Sequence, residues 1–114
     1  MPDLSQRSKY RAVPTVVDGI RFASKKEARR YQELKLLQKS CKIFDLEIQP
    51  RFVLTVNGKS VGAYVGDFKY FTSFTDAAID ANPIIEDVKG MKTPVYRLKK
   101  KMMLAIYGIE IQEV

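Results

Sequence analysis

The chain has 114 residues, enough for one domain with a modest core, and its 46% hydrophobic content predicts a packed globule rather than disorder. With no histidine and one cysteine, Cys41, it cannot carry Ser-His-Asp hydrolysis, Cys-His proteolysis, histidine-metal chemistry of the ββα type, a Cys/His zinc site or an internal disulfide. A net charge of +7 suits a polyanionic partner, most simply nucleic acid, against the plainer alternative of a basic protein with no such partner.

Residues 1–13 are polar and basic, with Arg7, Lys9 and Arg11, and read as a loose arm ahead of a single domain over 14–114. Thr15 to Phe22 reads as a small hairpin, because Asp18-Gly19 suits a two-residue turn. Ser24-Lys25-Lys26-Glu27 has the form of a capping box and opens a helix running to Lys39, with Ala28, Tyr31, Leu34 and Leu37 as its apolar stripe. Glu27 lies in line with Tyr31 and Leu34, so it points along the face that packs on a sheet. Ile43 to Gln49 is strand-like and ends at Pro50. Arg51 to Val56 is a strand, Asn57-Gly58 a turn, and Val61 to Phe71 a further strand on which Val65, Asp67 and Lys69 share a face.

Residues 72–83 read as a loop leading to a short buried strand over 84–89. Thr93 is the expected N-cap and Pro94 the first residue of a helix ending at Tyr107, with Gly108 as its C-terminal stop. Val95, Leu98, Met102 and Ala105 are the expected buried stripe of this helix, and Tyr96, Lys100, Met103 and Tyr107 form a second one. Ile109 to Val114 alternates and is the expected last strand, completing a right-handed βαβ crossover. The chain contains no apolar run of membrane-spanning length and no apolar signal-peptide core, which favours a reducing, cytoplasmic compartment.

Chemistry concentrates in Asp67 and in Glu86-Asp87-Val88-Lys89. Side chains on a strand alternate, so Asp87 and Lys89 share one face and Glu86 lies on the other, as a structural or surface acid. Two acids and a lysine near strand ends are what metal-dependent phosphodiester cleavage requires, since Mg²⁺ takes hard oxygen ligands and retains several waters. Asp67 and Asp87 are then the ligands, with the Val88 carbonyl a third, and Lys89 orients or deprotonates water or holds a phosphate oxygen. Glu27, reaching in from the first helix, completes the site or binds a second metal ion or water. Each residue also has a plainer reading: Asp87 with Lys89 as a structural ion pair, Asp67 paired with Lys69, Glu27 as part of the capping box. Asp45, Glu47, Asp76 and Asp80 fit loops or solvated faces.

An acid on the first helix, an acid on the second core strand and Asp-x-Lys on the third resemble the PD-(D/E)XK nuclease superfamily, over about residues 22–114. The stretches Val17 to Tyr31, Leu46-Glu47-Ile48-Gln49-Pro50 and Glu86 to Pro94 resemble a small phage-encoded family within it. The resemblance implies an αβββαβ restriction-endonuclease-like core and an α/β, mixed-sheet fold, here with the small N-terminal hairpin added. It further implies a Mg²⁺-dependent DNA endonuclease, with Mn²⁺ able to substitute, whose site is Glu27, Asp67, Asp87 and Lys89. The residue before Asp67 is Gly66, where many members of the superfamily have proline, and Gln49 falls near the site. A phage protein of this kind would work in the host cytoplasm, on branched or nicked DNA, and most simply as a homodimer with one site per strand.

Two basic clusters flank these acids: Lys25, Lys26, Arg29 and Arg30 on the first helix, and Lys92, Arg97, Lys99 and Lys100 on or before the second. A lysine run is often only a solvated face, but clusters on both sides of a candidate site suit phosphate-backbone contact. The competing readings are a non-catalytic DNA-binding module and a phage adaptor or inhibitor that keeps a nuclease-like fold.

Overall fold

A computed structural model describes residues 13–88 and 92–114. The basic arm over 1–12 and Lys89 therefore lie outside the described residues. The fold is mixed α/β, with a mixed four-stranded sheet at its centre.

Strands β1 (Thr15–Val17) and β2 (Ile20–Phe22) form the expected hairpin. Its turn residues Asp18 and Gly19 both have positive φ, at 52° and 75°, as a turn matched to strand twist requires. Helix α1 (Lys25–Lys39) starts at Ser24, whose hydroxyl accepts the Glu27 N–H, and it buries Ala28, Tyr31 and Leu34. Leu37, expected on that stripe, is exposed. Strands β3 (Phe44–Ile48) and β4 (Arg51–Val56) follow, and β4 turns at Asn57-Gly58 into β5 (Lys59–Val65).

The expected single strand over 61–71 is two strands. β5 stops at Val65, and β6 (Phe68–Phe71) begins after Gly66 and Asp67. The Gly66 N–H still donates to the Pro50 carbonyl, whereas the Asp67 N–H donates to Glu86 and its carbonyl accepts from Gln49. At this point the chain leaves the β4–β5 ribbon and enters the central sheet. The expected loop over 72–83 contains a short helix, α2 (Phe74–Ala78), capped by Ser73.

The central sheet has the order β3-β6-β7-β8, with β7 spanning Ile84–Asp87 and β8 Gln112–Glu113. β6 runs antiparallel to β3 and β7, while β8 runs parallel to β7 and is reached through helix α3 (Pro94–Tyr107). Thr93 caps α3, and Gly108, at φ 67°, ends it. β8 is shorter than the strand expected over 109–114.

Two hydrophobic clusters cover the two faces of this sheet. Phe22, Ala28, Tyr31, Leu34, Phe68, Tyr70 and Val88 pack on the α1 side. Leu54, Tyr64, Ile85, Tyr96, Met103 and Ile111 pack on the side of α3 and the β4–β5 ribbon. Along β7 the alternation is strict: Ile85 and Asp87 face α3 and the ribbon, whereas Glu86 and Val88 face α1.

Helix α3 presents the opposite stripe from the one expected. Tyr96 and Met103 are buried, while Val95 and Leu98 are 62% and 58% exposed. Hydrogen bonding explains the choice: the Tyr96 hydroxyl donates to Glu113, and the Tyr107 hydroxyl donates to the Val53 carbonyl at 2.5 Å. Burying the other stripe would leave these phenols without those partners on the sheet. No helix among the described residues is long and apolar enough to cross a membrane.

Candidate functional site

Asp67 sits at the break between β5 and β6, held by backbone on three sides. Its N–H and C=O are both used, and its Oδ2 accepts the Val88 N–H at 2.6 Å. Phe68 pairs with Glu86 in the antiparallel β6–β7 register, so one residue back Asp67 lies opposite Asp87. The two carboxyl groups are close enough for Asp87 to raise the Asp67 carboxyl. Two carboxylates this close disfavour each other's charged form.

The pair is withdrawn from solvent: Asp87 is only 3% exposed and Asp67 is partly buried. Burial pushes the Asp67 carboxyl up to about 7, the Val88 N–H opposes the shift, and the charges of Asp87 and Glu27 add to it. Glu27, half-buried in the first turn of α1, is thus close enough to act on Asp67 across the end of the sheet. The structure brings together three of the four expected site acids and bases, from α1, the β5–β6 break and β7; Lys89 lies outside the described residues. Val88 donates its N–H to Asp67 and buries its side chain.

The Asp67–Asp87 pair fits a hard cation chemically, because a divalent ion there would offset the charges that the two facing carboxylates place on each other. Among the described residues, no set of three or more acidic, cysteine or histidine side chains has the geometry of a metal cluster. The donor set in view is therefore the carboxylate pair, and Mg²⁺ is commonly held by one or two carboxylates plus water.

A second carboxylate network occupies the α1 face. Glu86, expected as a structural or surface acid, is 2% exposed and is therefore structural. It accepts from Arg30 Nε and Nη2 at 2.8 and 2.7 Å, and from the Tyr70 hydroxyl. Pairing with Glu86 holds the Arg30 guanidinium further into its charged range, and burial pushes the Tyr70 phenol up to about 12. Arg30, expected to contact DNA, is thus occupied by Glu86 and Glu33. The alternation of β7 gave the correct face for Glu86 but not its partner, which lies 56 residues away on α1.

Sequence reasoning missed Glu113 and Tyr64. Glu113 pairs with Asp87 across the parallel β7–β8 register, so Asp67, Asp87 and Glu113 stand in a row across neighbouring strands. Lys92 at 2.9 Å, Lys100 at 3.2 Å and the Tyr96 hydroxyl at 2.7 Å surround Glu113. The Lys92 hydrogen bond leads in holding its carboxyl down near 2. Its parity with Ile109 and Ile111 was the available signal. Tyr64, buried on β5, donates to Asp87 Oδ2 at 2.6 Å, and burial first, then Asp87, raises its phenol far above the usual range.

Basic clefts lie on both sides of β7 and β8. One, of about 290 Å³, is lined by Lys26, Arg29, Arg30, Glu33, Val88 and Val114. The other, of about 470 Å³, is lined by Lys92, Arg97, Lys100, Lys101, Leu104, Glu110 and Glu113. A larger depression between the β1–β2 hairpin and α1 contains none of these acids. Lys25, Lys26, Arg29 and Arg97 are exposed, and Lys99 and Lys100 are half-buried. Lys69, the plainer partner for Asp67, instead reaches Asp80 at 3.4 Å. Gln49 meets Asp67 through its backbone N–H, with its side chain exposed.

No curated protein and no solved structure matches the chain. A family model described as "Protein of unknown function (DUF1064)" matches residues 7–112, nearly the whole chain, and on that match the chain belongs to the DUF1064 family.

Proposed function

We propose that the protein is a Mg²⁺-dependent DNA endonuclease of the PD-(D/E)XK type, in which Asp67 and Asp87 hold the cation. The observation that carries this reading is the facing pair of Asp67 and the buried Asp87 at the end of the central sheet. Two acids set against each other are unfavourable unless a cation joins them.

In this reading the bound ion supplies charge neutralisation at the phosphate and activation of water. The chain's own groups do the rest. Asp67 is fixed by the Val88 N–H, which limits the motion of one ligand. Glu27 lies within electrostatic reach of Asp67 and adds negative charge for the cation, or for a water between them. Lys89, two residues after Asp87 in the sequence, holds a phosphate oxygen or takes the proton from water. Lys26 and Arg29 on one side, and Arg97 and Lys99 on the other, contact the DNA backbone without reading bases. One domain carries one such site, so cutting both strands calls for two copies.

Supercoiled, nicked, flapped and four-way DNA incubated with Mg²⁺ or Mn²⁺ tests the activity. The expected result is cleavage by wild type that is lost in Asp87→Ala while DNA binding is retained. Nicked circles should precede linear product, with sedimentation giving the number of copies. If wild type binds DNA but cuts none of these substrates with either metal, the protein is a binding module instead.

A further inference from the structure

We propose that Tyr64 is the positioning residue for Asp87, and that Gly66 is the space its phenol needs. The proposal rests on the cation reading of Asp67 and Asp87. Tyr64 and Asp87 are both 3% exposed, and the phenol hydroxyl donates to Asp87 Oδ2 at 2.6 Å. Tyr64 comes from the β4–β5 ribbon and Asp87 from the central sheet, so this hydrogen bond ties two separately built parts of the fold at the site. A carboxylate at a strand end can rotate about its Cβ–Cγ bond, and a buried hydroxyl fixed on one oxygen sets that rotation.

Gly66 makes the contact possible. A Cβ at position 66 would stand 3.3 Å from both the Tyr64 hydroxyl and its Cε2, and 3.1 Å from Ile85 Cγ2. The phenol fills the volume that any larger residue would take. Proline is excluded twice, by this crowding and because the Gly66 N–H donates to the Pro50 carbonyl at 3.0 Å. The glycine just before Asp67 is therefore matched to the tyrosine two residues ahead of it, and the two together orient the partner acid across the sheet.

Mn²⁺ titration of the apo-protein without DNA, followed by the loss of the free-ion electron paramagnetic resonance signal, tests the proposal. Tyr64→Phe removes only the hydroxyl and keeps the ring in the core. Its Mn²⁺ affinity should fall about 10-fold, the lower end of what loss of a group supporting a metal ligand costs. In cleavage assays kcat should fall while KM for DNA holds. Gly66→Ala, folded by circular dichroism, should weaken Mn²⁺ binding in the same direction and serves if Tyr64→Phe fails to fold. Tyr70→Phe removes a hydroxyl from the Glu86 network on the opposite face and should leave Mn²⁺ affinity unchanged. Equal Mn²⁺ affinity in wild type and Tyr64→Phe overturns the positioning role alone, and so does an equal loss in Tyr70→Phe. A wild type that binds no Mn²⁺ overturns both this role and the cation reading.

Discussion

Asp67 and Glu86 are neighbours in the fold with opposite electrostatic solutions. Glu86 is met by a two-pronged guanidinium contact from Arg30 and by a phenol hydroxyl, so its buried charge is paired. Asp67 meets an N–H and another acid, with a third acid nearby, and its carboxyl is pushed from 3.8 up to about 7, chiefly by burial. The sign of the resulting pH dependence follows directly. A carboxyl that binds its proton more tightly when folded favours the fold at low pH, and the advantage is lost as pH rises from about 4 through about 7. Each pH unit across that window is worth up to about 1.4 kcal/mol. In EDTA, urea unfolding should therefore show lower stability at pH 8 than at pH 5. Asp67→Asn, which keeps an acceptor for Val88 but removes the charge, should be more stable than wild type at pH 8 by about 1–2 kcal/mol. Added Mg²⁺ should stabilise wild type at pH 8, but not Asp67→Asn. An apo-protein whose stability is flat between pH 5 and 8 would remove the electrostatic basis of the site.

The elements show which parts of this fold were legible before the structure and which were not. Local chemistry was legible: Asp18-Gly19 and Asn57-Gly58 make their turns with positive φ, and Ser24, Thr93 and Gly108 bound their helices. The approach of Asp67 to Asp87 was legible in outline, because strand order and parity alone put both near one end of the sheet. Three things were not. The run from Val61 to Phe71 has apolar residues on both sides of Gly66-Asp67, and a glycine inside a strand pattern marks a bulge as readily as a break, so the change of sheets there reads in sequence as one strand. Glu86 and Arg30 meet across 56 residues, beyond any local rule. Helix α3 carries two apolar stripes of similar strength, and distant partners for two phenols decide between them. The last point has a direct test. Met103→Ala should cost about 2–5 kcal/mol as a buried truncation, whereas Leu98→Ala should fall within about 0.5 kcal/mol of wild type. The reverse ranking in urea unfolding would mean that α3 is rotated on the sheet.

The net charge of the whole molecule is +7, and among the described residues basic side chains flank an acidic centre. The row Asp67, Asp87 and Glu113 crosses β7 and β8, and basic clefts open on both sides of it. Such a layout repels a phosphate from the centre unless a cation sits there, and attracts the flanking phosphates in any case. Arg30 is taken by Glu86, while Lys92 and Lys100 neutralise Glu113. If the proposed DNA reading holds, the residues left to meet the DNA backbone are Lys25, Lys26 and Arg29 on α1, and Arg97 and Lys99 on α3. Five or six phosphates neutralised by these side chains and one of the Glu113 lysines would give a log K against log salt slope of about −5 on duplex DNA. Lys26→Ala combined with Arg29→Ala should flatten that slope by about 2, and Arg97→Ala should flatten it by about 1. Losses uniform across DNA sequences are expected, since these contacts carry no base information. Fluorescence anisotropy on unrelated duplexes from 50 to 300 mM salt (roughly the range in which counterion release is linear) measures all of this. A slope near zero, or one unmoved by the α1 and α3 substitutions, would detach the basic clefts from DNA and favour a protein partner for this surface.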